Sequence, residues 1–255
     1  MKKTIAFLAA GLCAGTLLAG KDNVFVTFSS DHDTYSDGEP VRDGEYYAFV
    51  WTPKNETFAG FNADRTAAGN SKVAIAAPIA ENGHCPRVQF QIDEDVVKNE
   101  YPGGTWGVYL LDTRKYETEK VTVSLPGGET VVQDRVLLDE NGKKRVIAGV
   151  HGDVQGYGKV NGTFTKQFGS VSGGDVNVDQ LPAGINQPRI TDIKTEGDFV
   201  YLTLEGTSPA IPYGMTSGTT PGNLKPTGDQ PVLGGADGKT IFVTKKPEGN
   251  AAFFK

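Results

Sequence analysis

An all-β fold is predicted for this chain of 255 residues by three observations. Short apolar runs recur along its length, and Gly, Pro, Asn and Asp interrupt them. Several runs alternate apolar with polar residues, as a half-buried strand requires. Gly 33 and Pro 14 are high counts, yet they stay below the level that marks low complexity. Hydrophobic residues at 38% and charged residues at 22% suit a chain with a sizeable core.

The elements follow in order. Val24 to Phe28 forms the first strand and Tyr46 to Trp51 the second. Thr57 to Phe61 and Lys72 to Ala77 carry weaker strand signals. Val88 to Ile92 alternates cleanly, so one face is buried and one is wet. Asp93 to Tyr101 reads as the one helix. Asp93 caps it, acidic residues fill its first turn, and Pro102-Gly103-Gly104 ends it. Trp106 to Leu111 is the next strand. Glu119 to Ser124 and Thr130 to Leu138 flank Pro126-Gly127-Gly128. Arg145 to Ala148 follows Asp139-Glu140-Asn141-Gly142, and Asn-Gly between apolar runs is a strong hairpin signal, because both residues tolerate positive φ. A second Asn-Gly, at Asn161-Gly162, precedes Thr163-Phe164-Thr165. Residues 119–168 therefore read as a β-hairpin meander. Arg189 to Lys194 and Asp198 to Glu205 form a strand pair joined at Glu196-Gly197. Residues 206–239 are mostly loop, Thr240 to Thr244 is a strand, and Ala252 to Phe254 is a terminal one.

Four segments result. Residues 1–20 are a signal peptide, and residues 21–168 form a sandwich or barrel-like N-terminal β domain with its hairpin extension. Residues 169–188, rich in Gly, Ser and Asp, form a linker. Residues 189–255 form a small C-terminal β-domain. Phe253-Phe254 is followed by Lys255 alone, which leaves truncation of the chain open.

Export is expected from the leader. Lys2 and Lys3 precede an apolar stretch from Ile5 to Leu18, and polar Lys21-Asp22-Asn23 follows it. The stretch is short for a bilayer span, and no other run approaches that length, so the mature chain is expected to have no membrane span. Cys13 lies within the leader behind Leu12, a poor fit to lipoprotein processing. Destinations are the periplasm, the cell surface or the medium.

Lys+Arg 25 against Asp+Glu 31 gives a net charge of −6, and loss of Lys2 and Lys3 takes it to −8. Such a chain is poorly suited to nucleic acid, whose affinity comes from clustered cations. The densest basic run, Lys143-Lys144-Arg145, reads as a solvated hairpin arm.

Several phrases resemble exported, multi-strand bacterial proteins with no assigned activity. They are Phe58-Ala59-Gly60-Phe61-Asn62-Ala63-Asp64, His84-Cys85-Pro86 and Leu110-Leu111-Asp112-Thr113-Arg114. Pro188 to Lys194, Gly197 to Leu202 and Phe253-Phe254 resemble a C-terminal β module of the same group. The resemblance implies export and β-architecture and carries over no catalytic residue.

Chemistry-bearing motifs are sparse. No Gly-x-Ser-x-Gly elbow or His-Glu-x-x-His pattern occurs, and the Gly-rich runs lack the Lys-Ser/Thr ending of a phosphate loop. His84 and Cys85 are strand neighbours and point to opposite faces. Cys85 with distant His32 or His151 stays open, as does any convergent pair among the 31 acids. Asp31, Asp33 and Asp37 are the densest oxygen ligands and the only candidates for a cofactor, a Ca²⁺ ion, although their spacing departs from the twelve-residue calcium loop. Cys85 is the only cysteine left after the leader, so it is either buried and inert or an intermolecular thiol. Tyr47 and Trp51 share one strand face with Phe49, and Trp106 shares another with Val108 and Leu110. Tyr47, Trp51 and Trp106 are either sandwich core or a platform for sugar rings.

The leading expectation is an exported, non-catalytic structural or interaction protein of the bacterial cell envelope or surface. Its partner would be a cell-surface protein or a second copy, joined through Cys85 or an edge strand. An extracellular polysaccharide-binding module is the alternative, and a secreted hydrolase the second alternative.

Overall fold

A computed structural model describes residues 23–160, 170–171, 174–218, 220, 223–246 and 253–254. The leader, Cys13, Asn161-Gly162 and Thr163-Phe164-Thr165 lie outside the described residues. The chain runs through β1 (Asn23–Ser30), β2 (Asp33–Tyr35), β3 (Tyr46–Thr52), β4 (Lys72–Pro78) and β5 (Cys85–Asp93). Helix α1 (Glu94–Glu100), β6 (Thr105–Tyr116), β7 (Thr118–Ser124), β8 (Thr130–Val136) and β9 (Val146–Lys159) follow. Then come β10 (Ser170–Val171), β11 (Val176–Val178), β12 (Arg189–Glu196) and β13 (Phe199–Glu205). The last are β14 (Pro212–Tyr213), β15 (Thr216–Gly218), β16 (Lys225–Pro226), β17 (Val232–Leu233), β18 (Lys239–Lys245) and β19 (Phe253–Phe254).

The fold is all-β and sandwich-like. One sheet has the order β4-β3-β6-β9, the other β10-β1-β5. Between them lie Val26 and Phe28 of β1, Phe49 and Trp51 of β3, and Trp106 and Val108 of β6. Phe49 stacks on Trp106 with ring centroids 4.6 Å apart. The opposite face of β3 and β6 is also buried. There Ala48, Val50, Tyr109 and Leu111 meet Phe61, with Phe58 packed against the cluster from the 53–71 loop. The central strands are therefore apolar on both faces, which explains the continuous run Tyr46 to Trp51. Thr57 to Phe61 is not a strand; its two Phe side chains serve as the lid of this second core layer.

Helix α1 matches its sequence signals. The Asp93 side chain accepts hydrogen bonds from the Asp95 and Val96 backbone N–H groups. Past the helix, Trp51 Nε1 donates to the Gly103 carbonyl at 2.6 Å. Gly104 has φ 79°, and a Cβ there would overlap the Thr52 carbonyl oxygen. Pro102-Gly103-Gly104 thus ends the helix and lets the backbone close down on Trp51.

Two expectations on organisation need correction. First, residues 169–188 are more than a linker. β10 pairs parallel with β1, and β11 pairs parallel with β2. Val176 and Val178 are buried while Asn177 between them is exposed, so the segment completes the sandwich core. Second, residues 119–168 are not one meander. β7 and β8 form a hairpin, but β8 meets β17 and β9 returns to pair with β6. The Asn141-Gly142 turn forms a short hairpin: Leu138 and Lys144 bridge across it, the Asp139 N–H donates to the Lys143 carbonyl at 2.8 Å and the Arg145 N–H to the Leu137 carbonyl at 2.8 Å. The hairpin leaves the sandwich and joins the C-terminal part in a sheet of order β14-β17-β8-β7.

The C-terminal part is centred on the sheet β12-β13-β18. Val200, Leu202 and Phe242 pack with Met215 and Val232 in a separate small core. Gln133 of β8 ties the two parts together. Its side-chain amide donates to the Ile241 carbonyl at 2.8 Å and accepts from the Ile241 N–H at 3.3 Å. One side chain thus occupies a donor and an acceptor on β18.

Candidate functional site

The polar residues of the sandwich gather beside β6, where Asp112-Thr113-Arg114 are all buried. Glu45 is their hub. Tyr35 Oη donates to Glu45 Oε2 at 2.9 Å, and Thr113 Oγ1 donates to Glu45 Oε1 at 2.5 Å. Arg42 Nε lies 3.7 Å from Glu45 Oε2, and Arg42 Nη2 approaches His151 Nδ1 at 3.0 Å. Thr113 Oγ1 lies 2.8 Å from the same Nδ1. Burial pushes the His151 pKa down, with Arg42 and Arg65 adding to the shift against the pull of Glu45.

Arg114 forms a second centre. It grips Asp112 in a fork, Nε to Oδ1 at 3.0 Å and Nη2 to Oδ2 at 2.8 Å. Its guanidinium stacks on the Tyr35 ring at 3.5 Å and reaches Asp37 at 3.0 Å. Lys144 also meets Asp37, at 3.2 Å. Burial would raise the Asp37 pKa, but Arg114 and Lys144 overcome that cost and hold it below the usual value. The basic run docks rather than standing free: Lys143 pairs with Glu39 and Arg145 with Glu117.

A cleft of about 310 Å³ opens beside this centre, between Lys115, Asp153 and Gln155 on one side and Pro209, Ala210 and Leu233 on the other. The Gln155 amide donates to the Arg114 carbonyl. Beside the cleft, Arg114 is held by Asp112 and Asp37, whereas in the Glu45 cluster Arg42 Nε is buried without a hydrogen-bond partner.

The residues picked out by the sequence fall as follows. Tyr47, Trp51 and Trp106 are core residues, 1%, 6% and 5% exposed, so they form no surface platform for sugar rings. Tyr47 also donates to Asp33 Oδ2. Asp31, Asp33 and Asp37 do not converge. Asp31 accepts from the Gly174 N–H, Asp33 is buried against Ser30 and Tyr47, and Asp37 is held by Arg114. Among the described residues no group of three His, Cys, Asp or Glu side chains is placed to hold a metal ion. Cys85 is 1% exposed, and burial pushes its pKa up to about 12. It is a protonated, enclosed thiol, and the intermolecular-thiol expectation is corrected. Sequence reading missed Arg42 and Glu45 and weighed His151 only as a partner for Cys85; His151 lies far from the other two in the chain, and the three share no motif.

The exposed candidate is β12. All eight of its residues are exposed, although its inner edge pairs along its length with β13. Ile193 is 56% exposed and Ile190 38%. No described strand pairs with the outer edge. Ile190 lies opposite Leu204 and Ile193 opposite Leu202, so both extend the apolar face of β13 beyond its cover. The edge signal was present in the sequence as one more amphipathic strand; its outermost position in the sheet was not.

No protein-family model, curated protein or solved structure matches the chain. No helix among the described residues is long and apolar enough to cross a membrane.

Proposed function

We propose that this is an exported, non-catalytic interaction protein of the bacterial cell envelope or surface. The observation that carries the reading is β12: a full-length strand with a paired inner edge, a solvated outer edge and two exposed Ile side chains. Backbone groups on such an edge attach a partner strand, and side chains select it. The leader read at residues 1–20 supports export, and the resemblance of Pro188 to Lys194 to a C-terminal module of exported proteins points the same way. The pairing of Thr113 with Glu45 and of Arg114 with Asp112 supports a non-catalytic role, because these groups are spent on one another.

The test places a photoreactive residue at Ile193 in the protein exported by living cells, with the same residue at exposed Val132 as control. A discrete adduct at 193 that the control does not give is the expected result. An unmodified protein in both cases overturns the reading. Retardation of the purified protein in native gels cast with a polysaccharide would replace it with the glycan-binding alternative.

A further inference from the structure

We propose that the partner of β12 is β12 of a second copy of this chain, paired antiparallel about a two-fold axis through Ile193. This rests on the interaction reading above and names its occupant.

The argument comes from the strand's own pattern. When one strand pairs with its copy about an axis at residue 193, each residue faces the one equally far on the other side. Ile193 then meets Ile193, and Asp192 meets Lys194 of the second copy. Both pairs are favourable, apolar on apolar and acid on base, and they lie next to the axis; farther out Thr191 falls at the irregularity of the ladder and Ile190 lies opposite Glu196, so the seam rests on residues 192–194. Parallel pairing in register would set Asp192 against Asp192 and Lys194 against Lys194. An axis placed between residues 192 and 193 would set Asp192 against Ile193.

The faces agree with this register. Ile193 lies on the Leu202 side of the sheet, so the two Ile side chains would continue the C-terminal apolar core from one copy to the next. Asp192 and Lys194 lie on the other side, opposite Thr203 and Tyr201 of β13. Within one chain they already approach to 3.3 Å, and both are about half exposed. Pairing exchanges two such contacts, one within each copy, for two equivalent contacts between copies, so the number of charge pairs is kept and the exchange costs little. The ladder is regular from Asp192 to Glu196, with the one irregularity confined to the stretch between Ile190 and Asp192.

Natural edges are blunted by charge so that they do not pair. Here the charges have opposite signs and sit symmetrically about an apolar centre, which selects the strand's own copy. A two-fold contact of this kind closes on itself and stops at a dimer. One pair of strands covers less than the roughly 1,000 Å² of a stable interface, so the association is weak and depends on concentration.

Sedimentation velocity on the protein purified after export tests the proposal across a range of concentrations. A monomer–dimer equilibrium is expected. Asp192→Lys alone and Lys194→Asp alone place like charges opposite one another and should each weaken the dimer about tenfold. The double variant Asp192→Lys with Lys194→Asp restores opposite charges and should return to within about threefold of the original. All the altered side chains are exposed, and circular dichroism checks the fold of each variant. A monomer at every concentration, or a dimer that ignores the charge exchange, overturns the proposal. If the photoreactive residue at 193 joins a different envelope component while the protein stays monomeric, self-pairing falls and the interaction reading stands. With neither adduct nor dimer, both fall.

Discussion

Three residues show how position converts chemistry into stability. Gly104 sits at φ 79° with the Thr52 carbonyl where a Cβ would go. Gly104→Ala meets both backbone strain and a rigid neighbour, and should destabilise the fold by about 2 kcal/mol or more, read as a lower urea midpoint. His151 faces Glu45, Arg42 and Arg65, and its pKa is lowered mainly by burial. On acidification the unfolded chain takes up a proton near pH 6.5, before the folded chain does. The stability that neutral His151 contributes is complete above that pH and is lost as pH falls through the lower folded value. His151→Gln removes the titration and should flatten the urea midpoint between pH 7.5 and 5. Cys85 is enclosed and protonated at neutral pH. A thiol reagent should leave it untouched in the folded protein and label it completely in denaturant, and a non-reducing gel should show no dimer that Cys85→Ser removes.

At the scale of elements, the decisive piece is the β7–β8 hairpin. Its sequence is an ordinary hairpin, yet it pairs outward with β17 through Arg135 and Val232, and its Gln133 occupies the backbone of Ile241. Gln133→Ala leaves a buried donor and acceptor on β18 without their partner. The expected cost is about 1–3 kcal/mol, with earlier proteolysis around β18 as the local signature. β11 teaches the complementary lesson. Val176 and Val178 sit in a Gly- and Asp-rich stretch whose composition reads as linker, and three residues of alternation are too few to outweigh it. Their burial depends on the groove that β2 and β9 leave open. Gly158 shares that site: a Cβ on it would overlap the Asn177 carbonyl, so the close crossing needs glycine.

Across the whole molecule, the hairpin joins two cores that the chain order keeps apart. The sandwich closes only when residues 170–171 and 176–178 return to β1 and β2, and the C-terminal sheets gain part of their support from residues 130–136. Thermal unfolding of the intact protein should therefore be a single transition. Gln133→Ala combined with Val232→Thr, which strikes both the side-chain bridge and the small core, should split it in calorimetry. The net charge of −6 is spread over a surface whose basic run is neutralised by Glu39, Asp37 and Glu117. Charge therefore does little to define a binding face, and β12 stands out by its exposed Ile190 and Ile193 on a strand whose outer edge no described strand pairs.

What the sequence by itself determined is local. Alternation placed most of the long strands, and Asp93 and Pro102-Gly103-Gly104 bounded the helix. These signals lie within a few residues of one another and follow from side-chain period and backbone sterics. The tertiary structure alone decided the choice between core and platform for Tyr47, Trp51 and Trp106, because a face is buried only when another sheet covers it. It also decided the gathering of Glu45, Arg42, Thr113 and His151, and the scattering of Asp31, Asp33 and Asp37. Side chains far apart in the chain meet or miss according to strand order, and strand order is settled by which apolar faces pack together. β12 marks the boundary between the two: its pattern of Ile, Asp and Lys is written in the sequence, and its place at the open edge of the sheet comes from the fold.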